Sequence, residues 1–264
     1  MRIRTTGESL NAMSWLPLLV VAAVLVSVWH LLTTRNYWDP TIVPPPAKVL
    51  AAAWQYRSVL TLDTVVTLGE VVLGFIMTVA AALASAIVLH LLPRVSKGVY
   101  GILIVVQSVP LWAIAPVLFY WTGPGLLTRL IVIVLVAFFP VLVNTMAGLR
   151  NIDRDLRDLF DSMNATRWQK LRMLEVPSAI RVMLAGFKIT LTMCVIGAVL
   201  AEMLIGDMVG LGYRVRAANA HFRVDLVFAS VAIMALIVVG LFALLTLLAN
   251  KYQPWLAHHE RTSS

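Results

Sequence analysis

The sequence predicts an all-α protein that spans a membrane several times, and three observations lead to this fold class. Hydrophobic residues make up 60% of the 264 residues and charged residues only 13%, whereas a soluble domain carries about a quarter charged residues. Six stretches with almost no charge each approach the ~20 residues that a helix needs to cross the hydrocarbon core. They lack the strict alternation of a transmembrane barrel. The composition therefore excludes an ordinary soluble enzyme.

The six apolar stretches are the predicted transmembrane helices. A signal peptide is the alternative for the first of them, because Arg2 and Arg4 precede it. The apolar run is long for a signal peptide and residues 33–37 offer no small-x-small cleavage site, which favours an uncleaved first helix. The predicted spans are Trp15–Leu32, Val71–Leu92, Val99–Trp121, Leu130–Leu149, Val182–Ile205 and Leu226–Ala249.

The distribution of Lys and Arg predicts that both termini face the cytoplasm (N-in, C-in). An even number of spans puts both termini on one side, and cytoplasmic loops carry an excess of basic residues. With the N-terminus inside, thirteen of the 21 basic residues fall in inner segments and seven in outer segments, and Lys188 lies inside the fifth span. The net charge of +8 is thus mainly a topology signal, and no nucleic-acid partner is expected.

The connections between the spans are predicted to be short, with one exception. Pro40 and Pro44–Pro46 favour extended backbone in the first outer segment. Ala47–Tyr56 then has the pattern of a short amphipathic helix at the outer interface. Trp121–Gly125 contains the helix breakers of a tight outer reversal. On the inner side, only Pro93–Gly98 separates the second and third spans.

The exception is the inner segment at residues 150–181, which is dense in both signs of charge. Asn151 or Asp153 can cap a short helix here. Asn164 is suited to the left-handed conformation that ends a helix, so we expect the chain to reverse at this residue. The apolar residues of the first helix fall on one face, at Leu156, Leu159, Phe160 and Met163.

A second short helix is expected after the reversal. Thr166 and Gln169 have the spacing of a capping box, and Pro177 predicts a break before the fifth span. Two interpretations of this helical hairpin stay open: an amphipathic connector that rests on lipid headgroups, or a rigid docking element for a cytoplasmic partner. The apolar stripe of the second helix consists of Trp168, Leu171 and Leu174.

A set of residues in the hairpin follows a known motif: Glu-Ala-Ala, three residues, Gly, nine residues, Ile-x-Leu-Pro. The corresponding positions are Asp158, Leu159, Phe160, Asn164, Leu174, Val176 and Pro177, of which only the proline is identical. Further matching segments are Val43–Pro46, Pro110–Pro116, Phe138–Pro140, Asn144–Arg150, Ala201–Met203 and Gly210–Tyr213. On these residues the chain resembles the permease subunits of bacterial ABC importers, and within them the nitrate, sulfonate, taurine and thiamine-precursor group.

The resemblance implies a type I ABC importer permease fold in a bacterial inner membrane, with this chain as a homodimer. It also implies two copies of a separate ATPase, which bind ATP and Mg, and an extracytoplasmic solute-binding protein. The chain has no Gly-x-x-x-x-Gly-Lys-Ser/Thr phosphate loop, so ATP hydrolysis is expected on the partner ATPase and no cofactor is expected on this chain. No Ser/His/Asp or paired-carboxylate arrangement stands out in the sequence, so no catalytic residue is expected either. The docking residues implied for the hairpin are Asp158, Leu159, Phe160, Met163, Asn164, Trp168, Leu174, Val176 and Pro177.

The expected function is ATP-driven import of a small solute, such as a sulfonate, a nitrate-like or other small organic anion, or a thiamine-type precursor. Three residues are candidates for its pathway or gate, because polar groups inside spans are costly and are functional by default. Glu202 either lines the outer pathway or bonds the loop at residues 206–212. Asn144 is expected to hydrogen-bond across helices. Glu70, where relatives usually carry Arg, is expected to be a solvated interface residue.

The alternative class is a secondary transporter driven by an ion gradient, or a channel. It needs buried charge or interrupted helices near the midplane, preferably in two related halves, and the sequence shows no internal repeat. No metal site is predicted, because Cys194 is the single cysteine and His221 falls on the opposite side from His258 and His259. The predicted division is residues 1–62 (tail, first span and outer segment), 63–249 (five-helix core with the hairpin at 150–181) and 250–264 (cytoplasmic tail).

Overall fold

A computed structural model of the chain describes residues 16–35, 37–204 and 208–252. These residues form helices joined by short turns, and there is no strand among them, which confirms the all-α prediction. The predicted N-terminal tail before residue 16, the first part of the loop at 206–212, and the C-terminal tail beyond residue 252 with His258 and His259 lie outside the described residues. The helices are α1 (Leu16–Thr34), α2 (Pro46–Gln55), α3 (Arg57–Leu91), α4 (Pro93–Ser108), α5 (Leu111–Thr122), α6 (Leu126–Arg150), α7 (Arg154–Ser162), α8 (Arg167–Lys170), α9 (Val176–Leu204), α10 (Leu211–Ala220) and α11 (Val224–Tyr252).

Four helical segments in the described part of the chain are long and apolar enough to cross a membrane. They correspond to the second, fourth, fifth and sixth predicted spans, and they make the chain a multi-pass membrane protein. The first predicted span coincides with α1, and the third is divided between α4 and α5. The total of six spans therefore stays a prediction. The four segments are Arg57–Leu91, Leu126–Arg150, Arg167–Leu204 and Val224–Ala249.

Helix α3 begins fourteen residues before the predicted start of the second span at Val71. Its 35 residues give a length of about 52 Å, which exceeds the ~30 Å hydrocarbon core. The prediction started late because Asp63 and Glu70 interrupt the apolar run. In the structure both carboxylates are buried and paired, so the helix extends through them toward its N-terminus.

The third predicted span is interrupted at Val109 and Pro110, between α4 and α5. Proline has no N–H to continue the helical ladder, and it moves the preceding residue away from helical geometry. Helix α4 begins at Pro93, so the predicted connection at Pro93–Gly98 forms its first turns. Proline is well tolerated in the first turn of a helix, where its missing N–H costs nothing.

The predicted break at Pro177 is wrong, because the chain stays helical from Arg167 to Leu204. A π-helical turn at Leu171–Glu175 joins α8 to α9, and the Val176 N–H donates to the Leu171 carbonyl. In a π-helical turn each N–H donates to the carbonyl five residues earlier, whereas in an α-helix it donates to the carbonyl four residues earlier. This shift accommodates Pro177, which has no N–H to donate in a regular α-helical ladder.

Helix α6 lies at the centre of the bundle and packs most extensively against α9 and α3. Glycines allow this approach: a Cβ at Gly74 would lie 2.5 Å from Ile133 Cγ2, and a Cβ at Gly186 would lie 2.7 Å from Asn144 Cβ. Small residues at such crossings are typical of membrane helices, where close packing drives association. These contacts bring residues near Val71 of α3, Leu130 of α6 and Ala198 of α9 into one buried cluster.

Candidate functional site

The hairpin at residues 150–181 forms with the helix ends that the sequence predicts. Asp153 caps α7 by accepting a hydrogen bond of 3.0 Å from the Asp155 N–H. Asn164 has a φ of 53°, and the chain reverses there. Thr166 and Gln169 form the reciprocal bonds of a capping box at the start of α8. These local signals confirm the predicted helix–turn–helix.

The hairpin presents an apolar face to solvent. No residue of α7 is buried, although Leu159 lies on the apolar side of this amphipathic helix and is 52% exposed. Met163 and Trp168, beyond the end of α7, are 68% and 60% exposed. Asp158 and Asn164 are exposed as well, and Phe160 is half-buried. The described part of the chain therefore leaves this apolar face uncovered.

The opposite side of the hairpin anchors it to the spans. Leu171 is buried and packs in one cluster with Leu149 of α6 and Ala179 of α9. Leu174 is buried too, so this member of the predicted docking set does not lie on the exposed face. The residues of that set on the anchoring side are Leu174, Val176 and Pro177.

An ion pair and one further side-chain contact fix the hairpin. Lys170 of α8 pairs with Asp161 of α7 and holds the two short helices together. His90 Nε2, near the C-terminal end of α3, lies 2.7 Å from Glu175 Oε2 in the π-helical turn. The hairpin is thus connected both to α9, through continuous helix, and to α3, through this side-chain contact.

A buried polar network joins α3, α9 and α10 at the end of the bundle opposite the hairpin, and we call it the outer network after the predicted topology. The Thr67 hydroxyl donates to Glu202 Oε1 at 2.6 Å, and it accepts from the Leu211 N–H at 2.9 Å. The second oxygen of Glu202 accepts from the Gly212 N–H at 2.6 Å. Thr67, Glu202 and Leu211 are fully buried. Glu202 therefore bonds the loop after α9, which is one of the two roles that the sequence left open.

Asp63 completes this network from the preceding turn of α3. Its Oδ1 accepts from the Gly210 N–H at 3.0 Å and its Oδ2 from Arg214 Nε at 2.7 Å. The first N–H groups of a helix have no intrahelical partner, and anionic side chains stabilise that end of the helix dipole. Side chains from α3 and α9 thus act together as the cap of α10.

Glu70 forms an ion pair with Arg129 of α6 in the same region. The distance from Arg129 Nη1 to Glu70 Oε1 is 2.7 Å, and the two side chains are 7% and 2% exposed respectively. The expectation of a solvated Glu70 is therefore wrong. The tight turn at Gly123 and Gly125, with φ values of 76° and 131°, starts α6 so that Arg129 faces this carboxylate.

Asn144 does not bond across helices as expected. Its Nδ2 donates to the Pro140 carbonyl of its own helix at 2.8 Å. The residue that faces it from α9 is Gly186, which offers no side-chain partner. The Asn144 amide nitrogen therefore has a local partner, one turn after Pro140 in α6.

Sequence reasoning missed several residues of the outer network because their partners are far away in the chain. Their common signal is an ionisable or hydroxyl side chain near the end of an apolar run. No cluster of His, Cys, Asp and Glu that could hold a metal occurs among the described residues. The missed residues are Asp63, Thr67, Arg129 and Arg214.

We expect Thr67→Val to lower the stability of the protein by about 2–3 kcal/mol. The substitution keeps the shape but leaves a carboxylate oxygen and a buried N–H without their partner, and each such loss costs about 1–3 kcal/mol. Thermal denaturation of the detergent-purified protein measures the effect. Thr64→Val is the matched control, because the Thr64 hydroxyl bonds only the Leu60 carbonyl of its own helix. Equal midpoints for the two variants would contradict this role of Thr67.

Comparison with known proteins identifies the family. Residues 70–258 match the family described as the binding-protein-dependent transport system inner membrane component. The chain belongs to this family. The permease is 32% identical over 258 residues to the riboflavin transport system permease protein of Chloroflexus aurantiacus, and the match covers 96% of each chain.

Two other relatives carry different names. The permease is 30% identical over 233 residues to the formylaminopyrimidine transport permease protein of Halalkalibacterium halodurans, a match that covers 88% of this chain and 92% of the relative. It is 28% identical over 247 residues to the taurine transport system permease protein of Escherichia coli, over 88% and 87% of the two chains. The predicted ABC permease family is confirmed.

Proposed function

We propose that this permease is the membrane subunit of an ATP-driven importer of a small organic solute in a bacterial inner membrane. In this proposal two copies form the translocation path, with six spans each and both termini in the cytoplasm. A separate ATPase, also in two copies, binds ATP and Mg and hydrolyses ATP. A solute-binding protein delivers the solute from outside. The family description, which names a binding-protein-dependent transport system, supports this division of labour.

The observation that carries the proposal is the exposed apolar face of the hairpin, on Leu159, Met163 and Trp168. An amphipathic helix that buries nothing against its own chain fits a groove on a partner protein. The half-buried Phe160 adds an aromatic contact at the same end. The ATPase is the cytoplasmic partner that such a system requires.

The contacts behind the hairpin provide a route for coupling. A displacement of α8 moves α9 directly, because the two are one continuous helical segment. The pair of His90 and Glu175 transmits the same displacement to α3. Closure of the ATPase would thereby shift the dimer between inward-facing and outward-facing states, which is a change in the populations of two global conformations. A gating role for Glu202 is a further part of this proposal.

The names of the relatives give the candidate solutes. Riboflavin, formylaminopyrimidine and taurine are transported by systems named for them. The first two are nitrogen heterocycles, and taurine is an aminosulfonate. We propose a solute from this range of small organic molecules.

The docking assignment is tested with Leu159→Asp and Phe160→Asp in the permease co-expressed with its ATPase. Each variant places a charge in the apolar contact, so we expect co-purification of the ATPase and ATP-dependent uptake to fall at least tenfold, about 1.4 kcal/mol or more. Arg154→Asp places the same carboxylate on the polar side of α7, well away from Leu159 and Phe160 around the helix, and serves as the control. Unchanged association in both test variants would overturn the docking role.

Energy depletion separates this proposal from transport driven by an ion gradient. In proteoliposomes that contain the complete system, uptake should stop when ATP is removed and persist when the proton gradient is collapsed. The reverse pattern would favour a secondary transporter. The interrupted helix at Pro110 is a feature that such transporters also have, which makes the comparison informative.

A further inference from the structure

Side chains of two other helices hold the first turn of α10. The N–H groups of residues 210–212 donate, in chain order, to Asp63 Oδ1 at 3.0 Å, Thr67 Oγ1 at 2.9 Å and Glu202 Oε2 at 2.6 Å. The three accepting side chains are buried, and so are residues 210–212. The loss of a partner by a buried donor or acceptor is strongly unfavourable, because no water replaces the bond. Separation of α10 from α3 or α9 is therefore unfavourable.

Two arginines extend this attachment beyond the first turn. Arg214 Nε donates to Asp63 Oδ2 at 2.7 Å, and Arg216 Nη1 donates to the Met203 carbonyl in the last turn of α9 at 2.9 Å. Helix α10 also packs directly against α9 and α3. It is thus attached to both helices by side-chain bonds and by packing.

Helices α3 and α9 are themselves joined at two distant points. At the hairpin end, His90 Nε2 lies 2.7 Å from Glu175 Oε2. At the opposite end, the Thr67 hydroxyl donates to Glu202 Oε1 at 2.6 Å. Thr67 and His90 lie about 34 Å apart along α3, at 1.5 Å per residue. Two contacts with this separation oppose sliding and rotation of one helix against the other.

The two helices offer few places to bend. Sharp kinks in helices occur mainly at prolines and at π-helical turns. Helix α3 contains no proline, and α9 contains only Pro177, at its start, whereas Pro116 and Pro140 lie inside α5 and α6. The π-helical turn at Leu171–Glu175 carries the contact to His90. A displacement of the hairpin can therefore pass along α3 and α9 to the opposite end of the bundle.

We propose that α3, α9 and α10 move as one rigid body during transport, and that Asp63 and Glu202 are the positioning residues that include α10 in this body. The inference rests on the import function proposed above, and it names how a displacement of the hairpin reaches the opposite end of the bundle. Helix α10 follows the displacement because its first turn is bonded to both helices. Without the two carboxylates, α9 still moves with the hairpin but α10 does not follow.

Hydrogen–deuterium exchange of the purified complex of permease and ATPase in lipid nanodiscs tests the rigid body. Exchange at residues 208–214 is measured without nucleotide, and with ATP, Mg and vanadate to trap the closed ATPase. We expect equally slow exchange in both states, because a rigid body keeps these N–H groups bonded throughout. Exchange at least about tenfold faster in one state would mean that α10 is released during the cycle. That result, or fast exchange in both states, would overturn the proposal.

The variants Asp63→Asn and Glu202→Gln replace each carboxylate by an amide of the same size. Exchange at residues 208–214 should rise about tenfold or more, and by different factors in the two nucleotide states, because α10 no longer follows α3 and α9. Asp225→Asn is the matched control, since Asp225 bonds Arg223 just beyond α10 and lies outside the outer network. A rise that is equal in both states indicates a purely structural role and overturns the positioning role, as does unchanged exchange in both test variants.

The same samples separate this inference from the import function. An ATPase that does not co-purify with the permease contradicts the import function. A co-purified ATPase with nucleotide-dependent exchange at residues 208–214 of the parent contradicts the rigid body alone. The measurement on the parent decides this even if a variant fails to fold.

Discussion

Gly210→Ala is expected to destabilise the protein by about 3–5 kcal/mol. Gly210 has a φ of 104° and a ψ of 158°, a conformation that is essentially restricted to glycine and costs about 1–3 kcal/mol for other residues. A Cβ at this position would also lie 2.3–2.7 Å from the carboxyl group of Glu202, and such overpacking adds about 1–3 kcal/mol. Thermal denaturation in detergent, followed by size-exclusion chromatography, measures the loss.

Gly69→Ala is the control for this experiment. A Cβ at Gly69, in the middle of α3, meets nothing within 4 Å, and replacement of a helical glycine by alanine stabilises by about 0.5–1 kcal/mol. The two substitutions add the same methyl group and should change stability in opposite directions. A Gly210→Ala protein as stable as the parent would show that the outer loop does not close on Glu202 as described.

Removal of either partner of the buried Glu70–Arg129 pair should lower the free energy of unfolding by about 3–5 kcal/mol, because the remaining charge is left buried without a partner. Glu70→Ala and Arg129→Ala are each expected to lower the denaturation midpoint strongly. The double variant should cost much less than the sum of the two, since it leaves no unpaired charge. Denaturation of all four proteins forms a double-mutant cycle that isolates the interaction.

The ion pair of Lys170 and Asp161 provides the comparison at the surface. Its side chains are 22% and 53% exposed, and exposed pairs contribute about 0–1 kcal/mol. Lys170→Ala should therefore change the midpoint little. Additive effects of Glu70→Ala and Arg129→Ala would contradict a direct pairing of these two residues.

The hairpin could be predicted closely because its signals are local. Asp153, Thr166 and Gln169 satisfy backbone groups two or three residues away, and Asn164 adopts the positive φ that ends the first helix. Such interactions depend on short-range geometry, which the order of residues sets directly. The sequence could not distinguish the exposed face of the hairpin from its anchoring side. Trp168 and Leu171 are both apolar, but in the structure Trp168 is exposed and Leu171 is buried.

The outer network could not be predicted because its partners are distant in the chain. Thr67 and Glu202 are 135 residues apart, and Asp63 and Arg214 are 151 apart. A charged residue near the end of an apolar run can face water or a buried partner. From composition alone, the expected environment is water. For Glu70 only the packing of α6 beside α3 brought Arg129 to the carboxylate.

The sequence by itself determined that this chain is helical, spans a membrane and carries a helical hairpin between two spans, because hydrophobicity and helix caps act along the chain. Only the tertiary structure decided which polar groups pair, where the third predicted span is interrupted, and which face of the hairpin is left uncovered. These outcomes depend on helix crossings such as that of Gly186 against Asn144. A close approach of two helices fixes the environment of every side chain around it, and no single segment contains that information.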